Sequence, residues 1–158
     1  MNKRPEDMDP EAFAKLLCEA RSRFDYIFLD APAGVDGGFR LVSQGADRFL
    51  LVTGAHAAAI RDASRVAQLL ELMGKDDVRL VVNRVDKHMM SALKITVDDI
   101  MDTAGLPLIG IVQEDVNVPL SAACGIPVAK FRRRSPALVG YKNIAKRIQG
   151  IRVPISMR

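Results

Sequence analysis

Four short apolar runs constrain the fold of this chain more than any other feature. Phe24-Asp25-Tyr26-Ile27-Phe28-Leu29-Asp30, Phe49-Leu50-Leu51-Val52-Thr53-Gly54, Val78-Arg79-Leu80-Val81-Val82-Asn83 and Leu106-Pro107-Leu108-Ile109-Gly110-Ile111-Val112 are too short for globular helices and rich in β-branched and aromatic residues. They read as strands, most of them apolar on both faces. Between them the period changes to 3.6. Asp9 can cap a helix that Pro10 opens, with Phe13, Leu16, Leu17 and Ala20 on one face. Ile60, Ala63, Val66, Ala67, Leu70 and Met73 line a second helix that ends at Gly74. Further helices are expected over residues 97–103, 116–123 and 135–149. Two-sided apolar strands alternating with helices form a parallel sheet covered on both faces, so the expected class is α/β.

In such a sheet, ligands sit beyond the carboxyl ends of the strands. Asp30, Thr53, Asn83, Arg84, Glu114 and Asp115 all stand at those ends. The chain has 158 residues, room for one domain, and its 49% hydrophobic and 27% charged residues exclude a disordered tail. The expected organisation is a flexible start over 1–8, a single domain over 9–153 and a short tail over 154–158. No apolar run is long enough for a transmembrane helix, and no apolar core follows the basic start as in a secretory signal. A cytoplasmic location is expected. Cys18, Cys124, His56 and His88 are mutually isolated, which argues against a zinc or iron–sulfur site and for buried or idle thiols.

Charge is uneven. Residues 116–158 hold nine Lys/Arg and no acid, against 14 Lys/Arg and 19 Asp/Glu before them. This asymmetry fits either contact with an anionic partner or the solvated face of terminal helices. The second is the default, because only Phe131 and Tyr141 accompany those basic residues and a nucleic-acid groove needs more stacking surface. Nucleic acid is not an expected partner. Arg132-Arg133-Arg134-Ser135-Pro136 reads as a solvated loop with Ser135 capping the next helix.

A strand ending in Asp30 and followed by Pro32-Ala33-Gly34 sets a carboxylate beside a glycine N–H. Magnesium is often held through few carboxylates and its own waters, and a glycine N–H can donate to a terminal phosphate. Capping or turn formation explains the same residues equally simply. The ordered set FDYIFLDAPAG at 24–34, FLLVTG at 49–54, AAIRDASRV at 58–66, RLVVNRV at 79–85 and PLIGIVQED at 107–115 narrows the choice. Together with 125–148, it resembles the MinD/ParA group of deviant Walker ATPases, on its MinD branch, from about residue 12 to residue 153.

The resemblance implies a P-loop NTPase-type parallel sheet flanked by helices, with ATP and magnesium as cofactors of the intact family protein. Asp30 then matches the Walker B aspartate, serving catalysis and the metal, and residues 31–34, with Gly34, match the loop that senses the terminal phosphate. Asn83 and Arg84 match the residues flanking adenine, and Glu114 falls in the loop over the base, although Gln113 stands where the family commonly has proline. Arg61 and Asp62 match the helix start that receives the division inhibitor MinC and the stimulator MinE. Simpler alternatives stand beside these: Asp62 favouring the positive end of its helix, Asn83 satisfying strand-end backbone, Arg84 pairing with a surface carboxylate.

No G-x-x-x-x-G-K-[ST] or lysine-rich deviant form occurs anywhere in the sequence, and Gly74-Lys75 lacks the glycine-rich loop. The chain therefore looks like the C-terminal part of such a protein, its sheet partial and lacking the Walker A strand that the family places between the equivalents of 24–30 and 49–54. Either that gap remains, exposing apolar surface and unpaired backbone, or the flanking strands close together. Hydrolysis of ATP by this chain alone is not expected. The implied function is part of a septum site-determining, membrane-cycling ATPase of bacterial cell division, self-dimerising and peripherally attached to the inner face of the cell membrane. Two alternatives are a part of a ParA-like cargo-positioning ATPase and a non-catalytic interaction module. Tyr141, Ile144, Ala145, Ile148 and Ile151 form an apolar stripe opposite Lys142, Lys146 and Arg147. It suits an anionic membrane surface or core packing, and packing is the expectation.

Overall fold

The computed structural model describes residues 9–31, 34–35 and 37–155; the expected flexible start, Pro32, Ala33 and the last three residues of the tail lie outside them. The chain divides into two units, Met1–Arg48 and Phe49–Arg158, each with its own internal packing.

In the first unit, α1 (Pro10–Arg21) starts where the sequence places it. Asp9 Oδ1 accepts the Glu11 N–H at 3.1 Å and Pro10 occupies the first turn, where its missing N–H costs nothing. A helix the sequence reading did not anticipate, α2 (Gly37–Gly45), follows; the paired glycines at its start hid it. Arg21 Nη2 joins the two helices by donating to Gly45 O at 3.0 Å and to Asp47 Oδ1 at 2.9 Å. Leu17 and Phe39 are buried beside them.

Residues 24–30, expected as a strand, form none. Phe24, Tyr26 and Phe28 are 64%, 53% and 72% exposed. The reason is physical: a strand exists through the ladder it shares with a neighbour, and an unpartnered segment gains no bonds or burial to offset the cost of ordering it.

The second unit holds a sheet of three parallel strands, β1 (Phe49–Thr53), β2 (Val78–Val85) and β3 (Leu108–Gln113), in the order β1-β2-β3. Around it lie α3 (Ala57–Leu72), α4 (Lys87–Leu93), α5 (Val97–Ala104), α6 (Asn117–Ala123), α7 (Val128–Phe131) and α8 (Pro136–Ile148). Successive residues of β2 point to opposite faces, and both faces are covered. Leu80, Val82 and Val85 pack with Ile60 of α3, Met90 of α4, and Ile100 and Ala104 of α5. Val81 packs on the other side with Val112 of β3 and with Ala137 and Ile144 of α8. Each of the larger of these side chains, valine, leucine, isoleucine or methionine, stabilises by about 1.5–3 kcal/mol when fully buried.

Two glycines let α8 lie close against β3. A Cβ on Gly140 would sit 2.5 Å from Ile111 O, and one on Gly110 would collide with Ile144. Arg147 then fastens the end of the chain: Nη1 donates to Ile109 O at 2.8 Å, Nε to Val153 O at 3.0 Å and Nη2 to Pro154 O at 2.9 Å. The apolar stripe of α8 is thus used for core packing, as expected, but with a shifted face. Ile144 is buried whereas Tyr141 and Ile151 are 38% and 50% exposed, and Arg147, placed by periodicity on the solvated side, turns back onto β3. A guanidinium can do this because its donors reach three carbonyls that would otherwise need partners.

Candidate functional site

The polar residues at the carboxyl ends of β2 and β3 are organised by a bulge. Val82 pairs with Ile111 and Val85 with Gln113, so β2 carries one residue more than β3 over this stretch, at Asn83-Arg84. Arg84 adopts the left-handed conformation, φ 55°. For a non-glycine residue this costs about 1–3 kcal/mol and persists only where neighbours hold it. Here they do. Asn83 Oδ1 accepts the Arg84 N–H at 3.0 Å, Arg84 Nε donates to Glu114 Oε2 at 2.7 Å, and the Glu114 N–H donates to Val85 O at 3.0 Å.

The bulge therefore re-aims Arg84 out of the sheet and couples it to the residue that follows β3. The hydrogen bond to Glu114, and then its negative charge, raise the Arg84 pKa above its ordinary value, so the guanidinium stays cationic. Both side chains remain accessible, 78% exposed for Arg84 and 43% for Glu114. The structure brings Asn83, Arg84 and Glu114 together, and it contains both simpler alternatives, Asn83 on strand-end backbone and Arg84 on a carboxylate. Gln113, at the position that raised doubt about the backbone here, is the last residue of β3 and stays in register with Val85.

Asp115, next in sequence, is buried and does a different job. Burial pushes its carboxyl upward, but hydrogen bonds from Ser135 Oγ, from the Asn117 N–H at 2.9 Å and side chain at 2.6 Å, and from the Ala137 N–H at 3.3 Å outweigh that and hold it below the usual carboxylate range. It ties the end of β3 to the start of α8. Ser135 caps α8 as expected, accepting the Leu138 N–H at 3.2 Å, yet it is wholly buried rather than solvated. Sequence reasoning missed this link; the signal was Asp115 and Ser135 standing at two element boundaries.

Asp30 and Gly34 belong to the first unit. Asp30 is exposed, and Gly34 has φ 104°, a conformation that a side chain would strain, with open space around it. On α3, Arg61 and Asp62 are exposed, and Asp62 pairs with Arg65 at 3.5 Å. Asp62 lies beyond the first turn of α3, so it gains little from the positive helix end. Cys18 and Cys124 are free and exposed, not buried. Among the described residues no group of three or more His, Cys, Asp or Glu could hold a metal, and no helix is long and apolar enough to cross a membrane.

Comparison with known proteins gives a consistent result. No protein-family profile matches the chain. The septum site-determining protein MinD of Synechocystis is 34% identical over 154 residues, 97% of this chain and 58% of that protein. MinD of Bacillus subtilis is 35% identical over 150 residues, 94% of this chain and 56% of that protein. Two structures from Aquifex aeolicus, a MinD cell division protein and a MinC:MinD complex, superpose with TM-scores of 0.89 and 0.88 at 32% identity, covering 94% of this chain and 64% and 62% of theirs. MinD of Pyrococcus horikoshii complexed with Mg-ADP shares the fold, with TM-score 0.77 at 20% identity over 90% of this chain and 57% of that one. The chain spans about half the length of the curated relatives it matches.

Proposed function

We propose, from the premise that this chain is a MinD-like cell division sequence corresponding to the C-terminal part of a MinD protein, that it supplies one side of a nucleotide site in a membrane-cycling, septum site-determining ATPase. The observation that carries this reading is the Asn83-Arg84 bulge coupled to Glu114 at the carboxyl ends of β2 and β3, in a chain MinD-like over 94–97% of its length.

The residues fit ATP and magnesium in kind. Asp30 is an exposed carboxylate, Gly34 is a glycine with open space around it, and magnesium sites on phosphates take one or two carboxylates rather than a protein cage. When bound, magnesium would neutralise charge on the phosphates. Asp30 would hold it through water, and the Gly34 N–H would donate to a terminal phosphate oxygen. Asn83 and Arg84 would flank the base. The Asn83 carboxamide oxygen is committed to the Arg84 N–H, so its NH2 is the end able to donate to a ring nitrogen. Glu114 keeps the Arg84 side chain at that edge. No lysine or phosphate cradle of the P-loop type accompanies these groups in this sequence.

The intact protein's MinC contact, supported by the MinC:MinD complex among the structural relatives, is assigned to the exposed Arg61 and Asp62 of α3. MinE contact at the same place, self-dimerisation and attachment to the inner membrane face belong to the same reading. The test is an ATPase assay on the purified chain. The expected result is no turnover above buffer; magnesium-dependent turnover that Asp30→Ala abolishes would overturn the reading. In the full-length context, Asp62→Ala should weaken MinC capture in a pull-down, and unchanged capture would remove that assignment.

A further inference from the structure

The loop after β3 and the start of α8 share one carboxylate, and each needs it. Pro136 has no N–H, so the first turn of α8 presents the N–H groups of Ala137 and Leu138. Leu138 donates to Ser135 Oγ at 3.2 Å and Ala137 to Asp115 Oδ2 at 3.3 Å. The Ser135 hydroxyl gives its own proton to the same Oδ2. The other oxygen, Oδ1, serves the loop, accepting the Asn117 N–H at 2.9 Å and the Asn117 side chain at 2.6 Å. No acid stands in the first turn of α8, and none follows Asp115 in the sequence, so this carboxylate supplies the negative charge that the helix's positive end lacks.

Glu114 is thereby held from both sides. Its own N–H is bound to Val85 O at 3.0 Å, and the residue after it is fixed through both carboxylate oxygens. From that backbone position its side chain accepts Arg84 Nε at 2.7 Å. A bond through Nε orients the planar guanidinium as a whole. Arg84 is 78% exposed and left-handed at φ 55°, so its direction depends on such partners.

We propose that Ser135 and Asp115 are positioning residues for the base-side edge: the hydroxyl at the start of α8 fixes Asp115, Asp115 fixes the loop that carries Glu114, and Glu114 aims Arg84. One hydroxyl is decisive because it both donates to Asp115 and accepts from Leu138, and an alanine there loses both bonds. What the edge receives rests on the nucleotide reading; the coupling itself is a property of this chain.

The experiment is nitrogen–proton correlation NMR of the full chain without nucleotide or magnesium. It reads the Arg84 Nε–H signal, identified by its absence from Arg84→Lys. Glu114→Ala supplies the position and solvent-exchange rate of that signal without its partner. Ser135→Ala should move the signal most of the way to that position and speed its exchange several-fold. Ile144→Val, which removes a buried methyl group further along the same helix, should leave it where the wild type has it. Asp115→Asn, with one acceptor oxygen in place of two, should displace it in the same direction as Ser135→Ala, and it decides the matter if Ser135→Ala does not fold. A wild-type signal in folded Ser135→Ala or Asp115→Asn would overturn the proposal. An equal displacement in Ile144→Val would also overturn it, by assigning the effect to a loosened α8, and so would a signal that Glu114→Ala leaves unmoved. With no nucleotide present, the outcome stands apart from that of the ATPase assay.

Discussion

β2 and residues 24–30 are runs of the same kind, short and dominated by branched and aromatic side chains, and they end differently. Leu80 and Val82 are completely buried, whereas Phe24 and Phe28 are 64% and 72% exposed. Composition does not separate them. β2 has parallel neighbours on both sides and helices over both faces, so each residue added to it gains ladder bonds and burial together. Residues 24–30 have neither, and the intrinsic preference of their side chains for a pleated surface has nothing to act on. Strand formation is a property of a pair.

The sharpest way to break this comparison is to delete a side chain from each run. Leu80→Ala should lower the unfolding free energy in a urea titration by about 2–5 kcal/mol, the range for a buried leucine leaving a cavity. Phe28→Ala should change it by no more than about 0.5 kcal/mol, as at exposed positions. Comparable losses from both would mean that residues 24–30 are packed in solution.

A second test addresses the packing of α8 on β3. Gly140→Ala places a methyl group 2.5 Å from Ile111 O and 3.1 Å from Val112 Cα, both backbone, so the helix must shift. A loss of about 1–3 kcal/mol is expected from the same titration. Full retention of stability would show that α8 is less closely seated than Arg147 and its three carbonyl bonds indicate.

A third concerns acid. The Asp115 carboxyl has a folded pKa below its unfolded value, near 3.9 for an ordinary aspartate. The sign follows: its contribution is fully present above that unfolded value and is lost as pH falls through the folded one. The urea midpoint of the wild type should therefore fall on acidification below about pH 5 more steeply than that of Asp115→Asn. Parallel curves would remove Asp115 as the tie between β3 and α8. The smallest effect is expected at Arg65→Ala, which breaks the exposed pair with Asp62 and should cost no more than about 0.5 kcal/mol.

Much of this architecture was legible in the sequence because periodicity reports burial. The core side of α3, the starts of α1 and α8, and the parallel strands β1, β2 and β3 follow from spacing and caps alone. What spacing cannot report is the presence of a neighbour, and this is why residues 24–30 read as a strand. It also misses helices opened by weak helix formers, as α2 is by Gly37 and Gly38, and charged side chains that turn inward, as Arg147 does. For the site, residue types at strand ends located Asn83, Arg84 and Glu114. Their coupling through a bulge depends on a register slip between β2 and β3 that no single strand encodes.

The central proposal is that this chain, whose sequence contains no P-loop-type phosphate cradle, does not take up nucleotide tightly by itself. Titration calorimetry of the purified chain with ATP, in the presence and absence of magnesium, tests it most directly. The account predicts no tight, magnesium-dependent heat of binding. Tight binding that requires magnesium and disappears in Asp30→Ala would contradict it.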